Sequence, residues 1–186
     1  MIKNNEIMAK HLHIPLQSGS NTILKSMNRL YDIDFFLKRI NYIKKEIPDI
    51  SITTDLIVGF PGETDELFEE TIETLNRIKF TKIHTFPYSK RNGTKAADMK
   101  NQIDGTSKKC RVREILSLSD KYELEFYKQN INKEYDGIIE TRKDNKKIVL
   151  TSNYIPIEVE DNLENNTKVN IKIIDIKDNK IIGKII

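Results

Sequence analysis

Ile50–Thr64, ISITTDLIVGFPGET, decides how this chain folds. An apolar strand core (Ile52, Leu56, Ile57, Val58) runs straight into Gly59-Phe60-Pro61-Gly62. Glu63, Thr64, Asp65 and Glu66 then open an amphipathic helix. A strand that ends at glycines and hands over to a helix start brings backbone close to whatever lies at its carboxyl end. In parallel α/β sheets and barrels, small molecules bind at that end.

The flanking segments carry the same alternation outward. His11–Gln17 reads as a short strand ending in Ser18-Gly19-Ser20, with a brief helix over Asn21–Asn28. A longer helix starts at Asp34, with Phe36, Leu37, Ile40, Ile43 and Ile47 at helical spacing, and Pro48-Asp49 ends it. After the central strand, Thr64 is set to cap a helix over Asp65–Ile78. Strand Lys82–Tyr88 follows, then a polar loop, SKRNGTKAAD, and a long helix over Ser107–Gln129. Val112, Ile115, Leu116, Ser119, Tyr122 and Phe126 lie along one side of that helix.

Strand–helix–strand–helix–strand with short links is parallel-sheet or barrel material. Three such units cannot close an eight-stranded barrel of about 250 residues. The expectation is a small open sheet or a piece of something longer. Beyond residue 122 the texture changes to five short β-rich runs: Tyr135–Thr141, Lys147–Leu150, Ile155–Val159, Lys168–Asp175 and Lys180–Ile186. Turn signals separate them, and they predict a small closed barrel of OB type. The expected division is 1–122 and 123–186, in an α/β chain.

Composition narrows the class. In 186 residues, 32% are charged and 38% hydrophobic, which suits a globular protein of one or two domains. No apolar run approaches the roughly 18–20 residues of a membrane span. The N-terminus has no signal-type apolar block, so a cytoplasmic protein with no membrane partner is expected. The single cysteine, Cys110, excludes a disulfide within the chain and a cysteine-rich metal site, and it reads as a packing or surface residue. His11 and His13 share a strand face, as a ligand pair or as structural groups at a rim, whereas His84 stands alone in another strand. Between Lys79 and Arg113, ten Lys/Arg face two acids, a local excess that suits either a polyanion or a solvated surface.

Four motifs in one order then carry a resemblance: HLHIPLQSGS (11–20), LKSMNRLY (24–31), TTDLIVGFPGET (53–64) and HTFPYSKRNGTKAA (84–97). Together they resemble the C-terminal half of the radical-SAM methylthiotransferases, and the tail resembles the TRAM domain that ends them. The resemblance implies a partial radical-SAM (β/α) barrel followed by a small OB-like TRAM barrel. HLHIPLQ and FPYSKR look most like the branch that modifies threonylcarbamoyladenosine beside the tRNA anticodon. The family uses S-adenosylmethionine on a 4Fe–4S cluster held by a C-x-x-x-C-x-x-C loop. A deoxyadenosyl radical activates the base, an auxiliary cluster delivers sulfur, and a second S-adenosylmethionine supplies the methyl group. Here the cluster cysteines are absent, so the chain alone is expected to be inactive. A missing N-terminal segment or a separate chain would then carry the clusters.

Within that frame, Gln17, Ser18, Thr53 and Asp55 are candidates to contact S-adenosylmethionine, or to make structural hydrogen bonds inside a barrel. Val58 and Gly59 resemble the apolar platform and close-approach position near adenine, with Val58 reading as core rather than contact, and Phe86 lies on one face of the last strand. Lys90 and Arg91 lie on a loop suited to phosphate or nucleobase recognition. Lys108, Lys109 and Arg111 extend a phosphate-tracking patch or form a solvated helix face. In the tail, Lys143, Lys146 and Lys147 are the RNA-facing candidates, and Tyr154 either stacks on a base or is half-buried. No catalytic residue and no metal ligand is assigned. Two other readings stand beside this one. One is a stand-alone RNA-binding module without catalysis; the other is a methylthiotransferase of the isopentenyladenosine or ribosomal-protein branch.

Overall fold

The computed structural model describes residues 2–5, 7–141, 147–159, 163–178 and 180–186. The elements are β1 (His11–His13), α1 (Asn21–Ser26), α2 (Ile33–Glu46), β2 (Ser51–Val58), α3 (Asp65–Ile78), β3 (Lys82–Pro87), α4 (Lys95–Asp98), α5 (Gly105–Lys128), β4 (Glu134–Thr141), β5 (Lys147–Thr151), β6 (Pro156–Glu158), β7 (Lys168–Lys177) and β8 (Lys180–Ile185). They form two compact units. One holds His13–Glu46 and Ile52–Tyr122; the other holds Met1–Leu12, Ile47–Ser51 and Glu123–Ile186. No helix of the described residues is long and apolar enough to cross a membrane.

The first unit holds β3 and β2 from Ile52 onward, members of a sheet in the order β1-β2-β3. Strands β2 and β3 run parallel, from Thr53 beside Lys82 to Val58 beside Pro87. The chain after β1 joins the other side of β2, where Ile14 N–H donates to Thr53 O and Gln17 N–H to Asp55 O, both at 2.9 Å. Along β2, Ile52, Thr54, Leu56 and Val58 are buried on one face; Ser51 and Thr53 are buried on the other, which opens from Asp55 onward. Phe36, Leu37 and Ile40 of α2 and Phe68, Leu75 and Ile78 of α3 are buried too. Thr64 caps α3 by accepting Leu67 N–H. Gly19 is required by contact with α3: a Cβ there would sit 2.6 Å from Thr71 Cα. From α5, Ser119 Oγ accepts the N–H of Ile83 at 3.0 Å.

The second unit contains a closed barrel in the order β4-β5-β6-β8-β7. Its pairs are antiparallel except β6 with β8. Ile139, Val149, Ile155, Ile157, Ile171, Ile173 and Ile181 fill it, with Tyr127 and Tyr135. Segments remote in sequence belong to this unit. Asp49 pairs with Lys133 Nζ at 2.6 Å, and its carbonyl accepts Asn153 Nδ2 at 3.3 Å. Lys10 N–H donates to Ser152 O at 2.7 Å.

Three local readings change. The loop SKRNGTKAAD contains the short helix α4. Leu116 is 44% exposed and is not part of the buried side of α5. His84 does not stand alone: its ring centroid lies 5.8 Å from that of His13.

Candidate functional site

On the other face of β2 the odd-numbered residues alternate with the buried set, and from Asp55 to Ile57 they are only half-buried. The register adds β3 neighbours on that side, placing Asp55 beside His84 and Ile57 beside Phe86. At the carboxyl end the sheet opens into a cavity of about 630 Å³. Gln17, Asp55, Ile57, Phe86, Tyr88 and Arg91 line it, with Pro87, Ser89, Thr94 and Ala96. The volume is that of a small-molecule site, and the lining mixes apolar walls with a few polar groups.

Each polar group has a definite support. Gln17 sits at φ +67°, a left-handed conformation that costs a non-glycine residue about 1–2 kcal/mol. Strand β2 holds it there: Gln17 N–H donates to Asp55 O and its carbonyl accepts Ile57 N–H, both at 2.9 Å. Arg29 Nη2 donates to the Gln17 side-chain oxygen at 3.1 Å and so orients it. Asp55 Oδ2 is 3.3 Å from His13 Nε2, and His13 Nδ1 is 2.9 Å from Thr53 Oγ1. Asp55 therefore has a structural partner on the sheet and also forms part of the cavity wall. The Tyr88 hydroxyl is buried without a partner among the described residues.

Behind the rim lies a buried charged clasp. Gly59, at φ +71°, donates its N–H to Glu63 Oε2 at 2.6 Å. Arg111 Nη1 reaches Glu63 Oε2 at 2.8 Å and Glu63 O at 2.9 Å, and Nη2 reaches Asp65 Oδ1 at 2.7 Å. Glu63 is 1% exposed. Burial pushes its carboxyl above the ordinary glutamate range, while the Gly59 N–H and the Arg111 guanidinium pull part of the way back. A Cβ at Gly59 would lie 2.3 Å from Lys108 Cγ. Lys108 Nζ in turn donates to Tyr88 O at 3.0 Å and lies 5.2 Å from the Tyr88 ring centroid.

These contacts sort the sequence candidates. Gln17, Asp55 and Phe86 converge on the cavity, and so does Arg91 from the loop after β3. Four others do not line it. Ser18 is fully buried in its turn, where its Oγ accepts Ser20 N–H at 3.2 Å. Thr53 is buried against His13, and Val58 is fully buried on the covered face. Gly59 is approached closely by Lys108, which occupies the space a side chain would need.

Among the basic candidates, Arg111 is corrected outright. At 6% exposure with two carboxylate partners, it is not available to a phosphate. Lys108 is half-buried with its ammonium on Tyr88, while Lys90 and Lys109 are exposed. Lys147 donates to Asn165 Oδ1 at 2.7 Å. Lys143 and Lys146 lie outside the described residues. The sequence reading of His13 as a structural group at a rim fits its contacts with Thr53 and Asp55, whereas Arg29 and the Glu63 clasp went unread. The one available signal was a glutamate four residues beyond a glycine at a strand exit.

A family model for the radical SAM superfamily matches residues 2–75. The chain is 43% identical over 162 residues to the threonylcarbamoyladenosine tRNA methylthiotransferase MtaB of Bacillus subtilis, covering 84% of this chain and 36% of that protein. It is 43% identical over 149 residues to the tRNA-2-methylthio-N(6)-dimethylallyladenosine synthase of Thermoanaerobacter pseudethanolicus, covering 79% and 32%. The chain belongs to the radical-SAM methylthiotransferase family. The synthase of the same description from Desulfitobacterium hafniense is 43% identical over 133 residues, covering 72% and 30%. The chain spans about a third of the length of these curated relatives.

The family implies two groups, and the residues present treat them differently. A 4Fe–4S cluster does not fit: Cys110 is the chain's one cysteine and lies exposed on α5. Among the described residues no cluster of His, Cys, Asp or Glu is arranged to hold a metal. S-adenosylmethionine does fit. The cavity offers the Asp55 carboxylate and the Gln17 amide to its polar end, and Ile57 and Phe86 as apolar walls. The Tyr88 hydroxyl adds a polar group in need of a partner.

Proposed function

We propose that this chain supplies the S-adenosylmethionine-contacting wall and a tRNA-contacting surface of a tRNA methylthiotransferase acting on threonylcarbamoyladenosine beside the anticodon. The observation that carries the reading is the convergence of Gln17, Asp55, Phe86 and Arg91 on one cavity at the carboxyl ends of parallel strands. Asp55 and Gln17 bind and orient the cofactor, which supplies the radical and the methyl group when bound. Arg91, exposed at the edge of the cavity, meets the nucleotide. Cluster ligands come from residues outside this sequence, so the chain alone has no methylthiotransferase activity. The barrel of β4–β8 is a TRAM-type RNA-gripping element, and the protein works in the cytoplasm.

Isothermal titration of the chain with S-adenosylmethionine tests the site. Asp55→Asn should weaken binding about tenfold, the scale of one lost charge-assisted hydrogen bond. Equal affinity for both proteins would sink the assignment. The substrate is tested by mass spectrometry of tRNA nucleosides from a deletion strain. Loss of the methylthio group on threonylcarbamoyladenosine is expected; loss on isopentenyladenosine instead would move the protein to the other branch.

A further inference from the structure

Tyr154 has two features that ordinary surface tyrosines lack. Its backbone lies at φ +62°, a left-handed conformation unfavourable for an aromatic residue. Its side chain is 48% exposed, yet the ring stacks on His11 with centroids 4.1 Å apart and planes at 22°. The β5–β6 turn enforces this geometry. Tyr154 N–H donates to Thr151 O at 2.9 Å, Ile155 N–H donates to Thr151 Oγ1 at 2.8 Å, and Thr151 Oγ1 donates to Asn153 Oδ1 at 2.7 Å. Strain held in place by its surroundings and used to present a flat ring to solvent points to a contact surface.

The neighbouring charge is equally specific. Lys10 precedes His11, and its N–H binds Ser152 O, two residues before Tyr154. Lys10 lines two adjoining polar cavities of about 440 and 340 Å³. The other cations there face carboxylates, with Lys133 at 2.6 Å from Asp49 and Lys168 at 3.7 Å from Asp136. The Lys10 ammonium has no partner among the described residues.

We propose that Tyr154, backed by His11, and Lys10 form a docking point for one nucleotide of single-stranded RNA. The base stacks on the Tyr154 face turned away from His11, and a phosphate meets the Lys10 ammonium. An aromatic platform beside an unpaired cation is the arrangement that binds unstacked nucleotides with little sequence preference. The inference rests on the RNA-binding part of the reading above and gives it a location.

The test uses the full chain and a short single-stranded RNA carrying 2-aminopurine, followed by fluorescence and by affinity over a salt series. Tyr154→Phe should bind like the parent, and Tyr154→Leu about tenfold more weakly, with the stacking-induced fluorescence change lost. Tyr154→Gly should also bind about tenfold more weakly while melting no lower than the parent, because glycine accepts a positive φ. Lys10→Gln should reduce the slope of log affinity against log salt by about one. Leucine and phenylalanine variants of equal affinity would overturn the proposal while leaving RNA binding intact. A parent chain that binds no RNA would sink the RNA-binding reading itself, whatever the S-adenosylmethionine titration gives.

Discussion

The barrel of β4–β8 and the sheet of β1–β3 use the same alternation of side chains to opposite ends. In the barrel, isoleucine and valine turn inward and every strand has two neighbours, so the apolar interior is complete. The sheet buries one face throughout β2 and the other only at its start, where Ser51 and Thr53 are covered. Its other face carries Asp55, His84 and Phe86, half-buried or exposed at the carboxyl end. Carboxylates and imidazoles on a sheet face do little for packing. One region therefore turns its apolar side chains onto one another, whereas the other leaves polar and aromatic groups along the wall of a cavity, where the proposed function puts a ligand.

That contrast can be broken by mutation, and the largest effect belongs to neither surface. Arg111→Ala leaves Glu63 buried beside Gly59 without its partner, which should cost about 3–5 kcal/mol in urea unfolding. A loss below about 1 kcal/mol would show that the clasp is incidental. Next, Ile171→Ala in the barrel should cost about 3 kcal/mol, a loss set by deleted methyl groups and the void they leave. A smaller effect follows from the Glu63 carboxyl, which burial holds above its ordinary range. Its contribution to stability is present in full below the ordinary glutamate range and declines as pH rises through the raised native value. Glu63→Gln should flatten that part of the stability–pH curve; an unchanged curve would show that the residue is not its source. Smallest of all, Asp55→Asn should change stability by less than about 0.5 kcal/mol, since its contact with His13 is a half-exposed one and the proposed role of its carboxylate is toward a ligand. A loss as large as that of Ile171→Ala would place Asp55 among the structural residues.

The sequence made the elements legible because each is written locally. An apolar run into glycines marked β2, β-rich runs between turn signals marked the five barrel strands, and a capping Thr64 before an amphipathic stretch marked α3. Gln17, Asp55 and Phe86 were readable because strand ends place residues in a known direction. The clasp was not, because Glu63 and Arg111 are 48 positions apart and each looks like an ordinary helix-surface charge. Arg29 lies within LKSMNRLY, but nothing in that stretch says that its guanidinium reaches back to Gln17, twelve positions earlier. The helix α4 spans four residues, too few for periodicity to register. Leu116 misled because helical spacing cannot say how wide a stripe the neighbours will cover.

The backbone passes between the two units four times, after Leu12, Glu46, Ser51 and Tyr122. The C-terminal barrel is thus no bead on a string that could be snipped off and grafted elsewhere. A piece beginning at Glu123 would leave behind Asp49, which Lys133 and Asn153 hold. Any transplant of the barrel to a foreign host would have to bring a substitute for that aspartate with it.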